Sequence, residues 1–104
     1  MNEVVDIPLT SIIGRLQALA PALRAVGVTR LWLFGSRARG DARPDSDLDV
    51  LIDSRARGEE PPFDYFKVLD LIENAIGLQV QISQRHLLKP RIIERIADDL
   101  IEVI

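Results

Sequence analysis

The stretch LWLFGSRARGDARPDSDLDVLID, residues 31–53, decides the fold of this chain. It overlaps a hydrophobic run of strand type, Thr29 to Phe34, which Gly35 closes. A polar segment follows, in which Ser36 to Arg39 can open a short helix. The chain then turns back into a second strand, from Leu48 to Ile52. The stretch therefore predicts two neighbouring strands joined by a polar, helix-containing connection.

The second strand and the Gly-Ser turn together predict a phosphate and metal site. Side chains alternate along a strand, so one face carries Asp47, Asp49, Leu51 and Asp53, and the other carries Leu48, Val50 and Ile52. Two carboxylates two residues apart can share a hard cation, and Mg²⁺ commonly takes one or two protein carboxylates plus phosphate oxygens. Gly35 lets backbone amides approach a phosphate closely, and the Ser36 hydroxyl adds a donor. Facing each other, the turn and the Asp47/Asp49 pair form a candidate Mg-triphosphate site.

The flanking sequence supplies helices and one more strand. The predicted elements are a helix from Leu9 that ends or kinks at Pro21, a further turn or two to Val26, a helix from Asp64 to Ile76, and a strand from Leu78 to Ser83. A last helix is predicted to start near Pro90 and to carry Ile92, Ile93, Ile96 and Leu100 on one face. We therefore predict an α/β (α+β) fold, with a small mixed three-stranded sheet covered by helices and one domain over residues 1–104.

Composition narrows the functional classes. The chain has 47% hydrophobic and 28% charged residues, as is ordinary for a soluble domain, and no cysteine. Its net charge of −3 argues against direct nucleic-acid binding. No run approaches the roughly 20 apolar residues that span a membrane, and Met1 to Pro8 lacks the pattern of a secretory signal. We expect a cytoplasmic protein with no membrane association.

Residues 31–53 also resemble the signature of the minimal nucleotidyltransferases, the MNT group of the polymerase-beta-like superfamily. The resemblance implies a nucleotidyltransferase fold, ATP as substrate with Mg²⁺, and transfer of a nucleotidyl group to a hydroxyl with release of pyrophosphate. Carried over by position, it assigns nucleotide binding to Gly35, Ser36, Arg37 and Arg39, and metal binding and catalysis to Asp47 and Asp49. For the two arginines, a solvated basic turn is an equally good interpretation.

One position departs from the family's pattern. The resemblance implies a third carboxylate on the next strand, where this chain has Gln81. Asp53 has the correct strand parity but lies roughly 13 Å along the strand from Asp49, so we do not expect it to substitute. A neutral amide supports a second catalytic metal poorly. Two hypotheses therefore stay open: an adenylyltransferase that modifies a protein hydroxyl, and a weakened nucleotide-binding module that neutralises a partner by binding alone.

The resemblance also implies a partner. MNT proteins of this size resemble the antitoxin of a pair whose toxin is a helical HEPN ribonuclease. The chain ends on an apolar series, Ile92, Ile93, Ile96, Leu100, Ile101, Val103 and Ile104. It predicts either a partner surface or a last strand or helix that closes the core. Of the remaining candidates, we expect His86 to be a surface or structural residue and Trp32 to belong to the core.

Overall fold

A computed structural model of the chain describes residues 7–104, which form one mixed sheet with helices. The elements are α1 (Leu9–Ala18), α2 (Ala20–Ala25), β1 (Val28–Phe34), α3 (Gly35–Arg39), β2 (Leu48–Ser54), α4 (Tyr65–Ile76), β3 (Val80–Gln84), α5 (Pro90–Ile96) and β4 (Ile101–Glu102). Short 3₁₀ turns, Arg85–Leu87 and Ala97–Asp99, lie on either side of α5. The predicted α/β (α+β) class is confirmed, but the sheet has four strands rather than three.

The order of the strands is β3-β2-β1-β4. Strand β1 is antiparallel to both β2 and β4, whereas β2 and β3 are parallel. In this register Phe34, the last residue of β1, lies opposite Asp49, and Asp49 lies opposite Gln81 on β3. The end of β1 therefore meets the start of β2, which brings the Gly-Ser turn beside the predicted carboxylates.

The hydrophobic core lies between the sheet and the helices α1, α2 and α4. Its fully buried strand residues are Val28, Leu31, Leu33, Leu48, Val50 and Ile52, and its buried helix residues are Ile12, Leu16, Leu23, Val68, Ile72 and Ile76. The predicted alternation along β2 is therefore confirmed for its apolar face. Leu51 is also fully buried, although it was predicted on the face of the aspartates.

The ends of the long helix α4 follow signals in the sequence. The Asp64 side chain accepts a hydrogen bond from the Lys67 amide at 3.2 Å, which confirms Asp64 as the N-cap. Gly77 ends the helix in the left-handed conformation. At the other end of the chain, Pro21 occupies the first turn of α2, so it separates α1 from α2 as predicted.

The C-terminal residues add a fourth strand, which corrects the prediction of a helix that reaches Leu100. Helix α5 ends at Ile96 and does not continue to Leu100. Beyond it, Val103 is buried at 7% exposure. Its amide donates to the Leu31 carbonyl of β1 at 2.8 Å, and the Leu31 amide donates to the Ile104 carbonyl at 3.1 Å. An uncovered β1 would present unpaired backbone groups. Val103 therefore closes the core, as one of the two interpretations predicted, and a partner surface on the partly buried residues of the tail stays a prediction.

Within residues 7–104 no helix has the length and apolarity needed to cross a membrane. The prediction about the first eight residues falls mainly on residues 1–6, which lie outside the described part of the chain.

Candidate active site

The turn at Gly35 makes close contact with Asp49. Gly35 has φ +77°, a backbone conformation that residues with a side chain rarely adopt. A Cβ at this position would overlap the Asp49 Oδ2 atom and lie 3.2 Å from Asp49 Cγ. Helix α3 starts at this turn, so Ser36 is in its first turn, where backbone amides have no intrahelical acceptor. The structure thus brings hydrogen-bond donors and a carboxylate together with no side chain between them.

The two predicted aspartates lie at the start of β2, next to Gln81. The Gln81 Nε2 group donates a hydrogen bond to Asp47 Oδ2 at 3.0 Å. Partial burial raises the pKa of Asp49, the nearby charge of Asp47 raises it further, and the charge of Arg39 lowers it. This pKa shift shows that negative charge at Asp49 is disfavoured in the protein alone. A cation between the carboxylates would relieve both causes of the shift.

The donor set fits a cation that arrives with its own phosphate ligands. Asp47 and Asp49 supply carboxylate oxygens, and Mg²⁺ typically needs only one or two of these beside phosphate and water. Residues 7–104 contain no group of three or more His, Cys, Asp or Glu side chains that could hold a metal by themselves. The residues present therefore fit a nucleotide-borne Mg²⁺. A second ion would lack the carboxylate that Gln81 replaces.

Arg37 holds the loop that leads into Asp47. Its guanidinium is buried, at 5% exposure, and donates to the carbonyls of Ser46 (2.8 and 3.0 Å), Pro44 (3.0 Å) and Arg43 (3.3 Å). These contacts fix the path of the chain between α3 and β2. The structure therefore gives Arg37 a positioning role, which is neither the phosphate contact nor the solvated turn considered from the sequence. Its assistance to phosphates stays a prediction.

Arg39 is the more accessible of the two predicted arginines. Its side chain is 45% exposed and forms ion pairs with Asp99 at 2.9 Å and Asp41 at 3.2 Å. Hydrogen bonds from these carboxylates, with that of Asp99 first, raise the pKa of Arg39. Its charge also lowers the pKa of Asp49, so it acts on the site electrostatically. Sequence reasoning missed Asp99, since it lies 60 residues away in a turn with no recognisable motif.

Asp53 is held at the other end of β2. The Arg85 guanidinium donates to both of its oxygens, at 2.7 and 2.6 Å. The same guanidinium stacks on Trp32 at 5.1 Å from the ring centre, and Arg30 stacks on that ring at 4.8 Å. Asp53 is thus engaged away from Asp49, in agreement with the expectation that it does not replace the third carboxylate. Trp32 is 8% exposed, which confirms it as a buried residue.

Solved structures share this fold. A protein provisionally named a minimal nucleotidyltransferase superposes with a TM-score of 0.75 and 32% identity, over 91% of this chain and 95% of that one. A crystal structure of a toxin–antitoxin with AMP-PNP gives a TM-score of 0.63 over 94% of this chain and 73% of that one. The second likeness has 14% identity, so it supports the fold alone.

Sequence comparison points to the same family. The protein adenylyltransferase MntA of Thermococcus cleftensis is 32% identical over 79 residues, which are 74% of this chain and 76% of that protein. A provisionally named protein adenylyltransferase of Methanocaldococcus jannaschii is 30% identical over 77 residues, or 73% of this chain and 77% of that protein. The family model for the nucleotidyltransferase domain matches residues 11–103. The chain therefore belongs to the nucleotidyltransferase domain family.

Proposed function

We propose that this protein binds Mg-ATP and transfers AMP to a hydroxyl of a partner protein, and that it acts as the antitoxin of a HEPN-type helical ribonuclease toxin. The observation that carries the proposal is the contact between the Gly35 turn and Asp49, with Asp47 two residues earlier, immediately before β2. The similarity to proteins named adenylyltransferases selects the nucleotide and the class of acceptor.

Each residue of the site has its own role in the proposed reaction. The backbone amides at Gly35 and Ser36, with the Ser36 hydroxyl, bind the triphosphate and orient it. Asp47 and Asp49 hold the nucleotide's Mg²⁺, which neutralises phosphate charge when it is bound. Arg39 adds positive charge at the rim. The acceptor hydroxyl oxygen attacks the α-phosphorus and loses its proton to solvent, the bond from the α-phosphorus to the bridging oxygen breaks, and pyrophosphate leaves. Positioning and charge neutralisation are the main sources of catalysis in such transfers.

The assignment of a toxin partner has two sources of support. It rests on the resemblance of residues 31–53 to the MNT signature and on the fold shared with the antitoxin-containing structure. In the tail, Val103 lies in the core and Ile101 and Ile104 pack against it, so we do not place the toxin there. The toxin must instead present its hydroxyl at the end of the sheet where Gly35 meets Asp49.

A second function is favoured by one observation. The Gln81 amide, 3.0 Å from Asp47 Oδ2, uses an oxygen that would otherwise be available to a second cation. A protein of this kind would bind Mg-ATP, transfer AMP slowly or not at all, and neutralise its partner by binding. The two functions differ in turnover and agree on nucleotide binding, so a transfer assay separates them.

The test uses ATP labelled at the α-phosphate or at the γ-phosphate. The purified protein is incubated with the product of the adjacent gene and Mg²⁺, and label on the partner is measured. We expect α-label on the partner, no γ-label, and no transfer by the Asp47→Asn/Asp49→Asn variant. Label from the γ-position would indicate phosphoryl transfer and contradict the proposal. Mg-ATP binding with no α-label, together with complete neutralisation of the partner, would establish the binding function instead.

A further inference from the structure

A second concave site lies at the opposite end of the sheet from Asp47 and Asp49. A cavity of about 830 Å³ is formed where β2 and β3 end and the connection from Arg55 to Phe63 folds back over them. Along β2, Asp49 and Ser54 are roughly 17 Å apart, since a strand rises about 3.3 Å per residue. A molecule in this cavity would therefore not reach the Gly35 turn with its phosphate group.

The cavity carries two arginines and a histidine whose side chains have no partners in the described protein. Arg55, Arg57 and His86 all line it. Within residues 7–104, none of these three side chains forms a hydrogen bond or an ion pair with another residue. The Arg55 Nε group is buried as well as unpartnered. Buried donors in native proteins nearly always have an acceptor, so this one indicates an acceptor supplied from outside the chain.

The carboxylates of the cavity, in contrast, already have donors. Asp53 accepts two hydrogen bonds from Arg85, at 2.7 and 2.6 Å. Glu59 accepts one from the Ala56 amide at 3.0 Å. Asp53 is thus paired with a cation and Glu59 is bonded to one backbone amide, whereas Arg55 and Arg57 have no carboxylate partner among the described residues. The cavity consequently favours an anion.

The other residues that line the cavity indicate which kind of anion fits it. Phe63 and Pro62 provide an apolar wall, and Thr29, Ser54 and Gln84 provide hydroxyl and amide groups. The volume lies within the range of about 300–1,000 Å³ that is typical of small-molecule sites. We propose that this cavity is a second ligand site, which binds an organic phosphate of the size of a nucleoside monophosphate. Its phosphate contacts Arg55, Arg57 and His86, and its ring lies against Phe63. Guanidinium groups suit this geometry because they can donate two parallel hydrogen bonds to one phosphate.

The test titrates AMP into the full-length protein in the presence of EDTA, with binding followed by calorimetry and by amide NMR shifts. EDTA removes the divalent ion on which the Asp47/Asp49 site depends. We expect saturable binding that persists in Asp47→Asn/Asp49→Asn and weakens about tenfold or more in Arg55→Gln/Arg57→Gln. The control is Arg24→Gln/Arg91→Gln, which removes the same charge from two exposed arginines outside the cavity and should leave binding unchanged. His86→Gln, at an exposed position, replaces the double variant if that variant melts at a lower temperature.

Three results would overturn the proposal. The first is the absence of saturable AMP binding, and the second is loss of binding in Asp47→Asn/Asp49→Asn, which would assign AMP to the other site. The third is equal weakening in the cavity variant and in its charge-matched control. Inorganic phosphate, tested in parallel, should bind more weakly than AMP. Equal affinity would contradict the role given to Phe63. The proposal does not depend on the transfer activity, so it can fail or stand independently.

Discussion

Replacing Gly35 by alanine should separate the folding role of this turn from its binding role. Gly35 has φ +77°, and a left-handed conformation costs a residue with a side chain about 1–2 kcal/mol. In a domain of this size, that cost lowers the melting temperature by about 5–15 °C. The added Cβ would also overlap Asp49 Oδ2, so the Asp49 carboxylate must move. We therefore expect Gly35→Ala to lose stability and also to lose the stabilisation by Mg-ATP.

The chain contains a matched control at Gly77. It has the same φ of +77°, and a Cβ there meets no atom within 4 Å. Gly77→Ala should therefore show a similar loss of stability with its response to Mg-ATP intact. At a ligand concentration 100 times Kd that response is about 2.7 kcal/mol, which thermal melts with and without Mg-ATP resolve easily. If Gly35→Ala retains the full Mg-ATP shift, the close approach of the turn to Asp49 is not part of the nucleotide site.

Three further predictions concern Asp49, Gln81 and the tail. Burial and the charge of Asp47 raise the pKa of Asp49, so the contribution of Asp49 to the stability of the metal-free protein is present below the unfolded-state pKa and is lost as the pH rises through the folded-state pKa. Asp49→Asn should remove this decline in melts recorded from about pH 4 to pH 7. An unchanged pH profile in the variant would refute the shift. Gln81→Asp removes the hydrogen bond to Asp47 and adds a like charge, so it should lower the stability of the metal-free protein by about 1 kcal/mol and increase AMP transfer. If the stability and the transfer rate both stay at wild-type levels, the residue does not face the site. Val103→Ala deletes two buried carbon atoms and should lower the free energy of unfolding, measured in urea, by about 2 kcal/mol. Leu87→Ala, at a side chain that is 68% exposed, should lower it by less than about 0.5 kcal/mol. Equal effects of the two variants would place the tail outside the core.

Most of the fold was predictable because local signals agree with tertiary packing. Asp64 and Gly77 mark the ends of α4, and the alternation from Leu48 to Ile52 marks β2. The fourth strand was missed as a definite prediction because its apolar residues continue the helical spacing of α5. Only pairing with the edge of β1 distinguishes a strand from a longer helix there, and that contact joins residues about 70 positions apart.

For the site, the sequence predicted which residues come together but not what each one contacts. The Gly35 turn and the two aspartates are brought together by the pairing of β1 with β2, as the spacing indicated. The buried contacts of Arg37 with loop carbonyls, and the ion pair between Arg39 and Asp99, depend on loop and tail geometry that no periodicity encodes. The cavity at the far end of the sheet was missed for the same reason, since its arginines come from the loop and its histidine from the turn after β3.

The most direct test of the central claim is the Mg²⁺-dependent part of ATP binding, measured by calorimetry with and without the metal. We expect this part to be present in the wild-type protein, absent in Asp47→Asn/Asp49→Asn, and retained in Asp53→Asn, which changes a carboxylate on the same strand that is paired with Arg85. Mg²⁺-dependent binding that survives in the double variant, or that disappears in Asp53→Asn alone, would contradict a nucleotide site built from the Gly35 turn and the two aspartates.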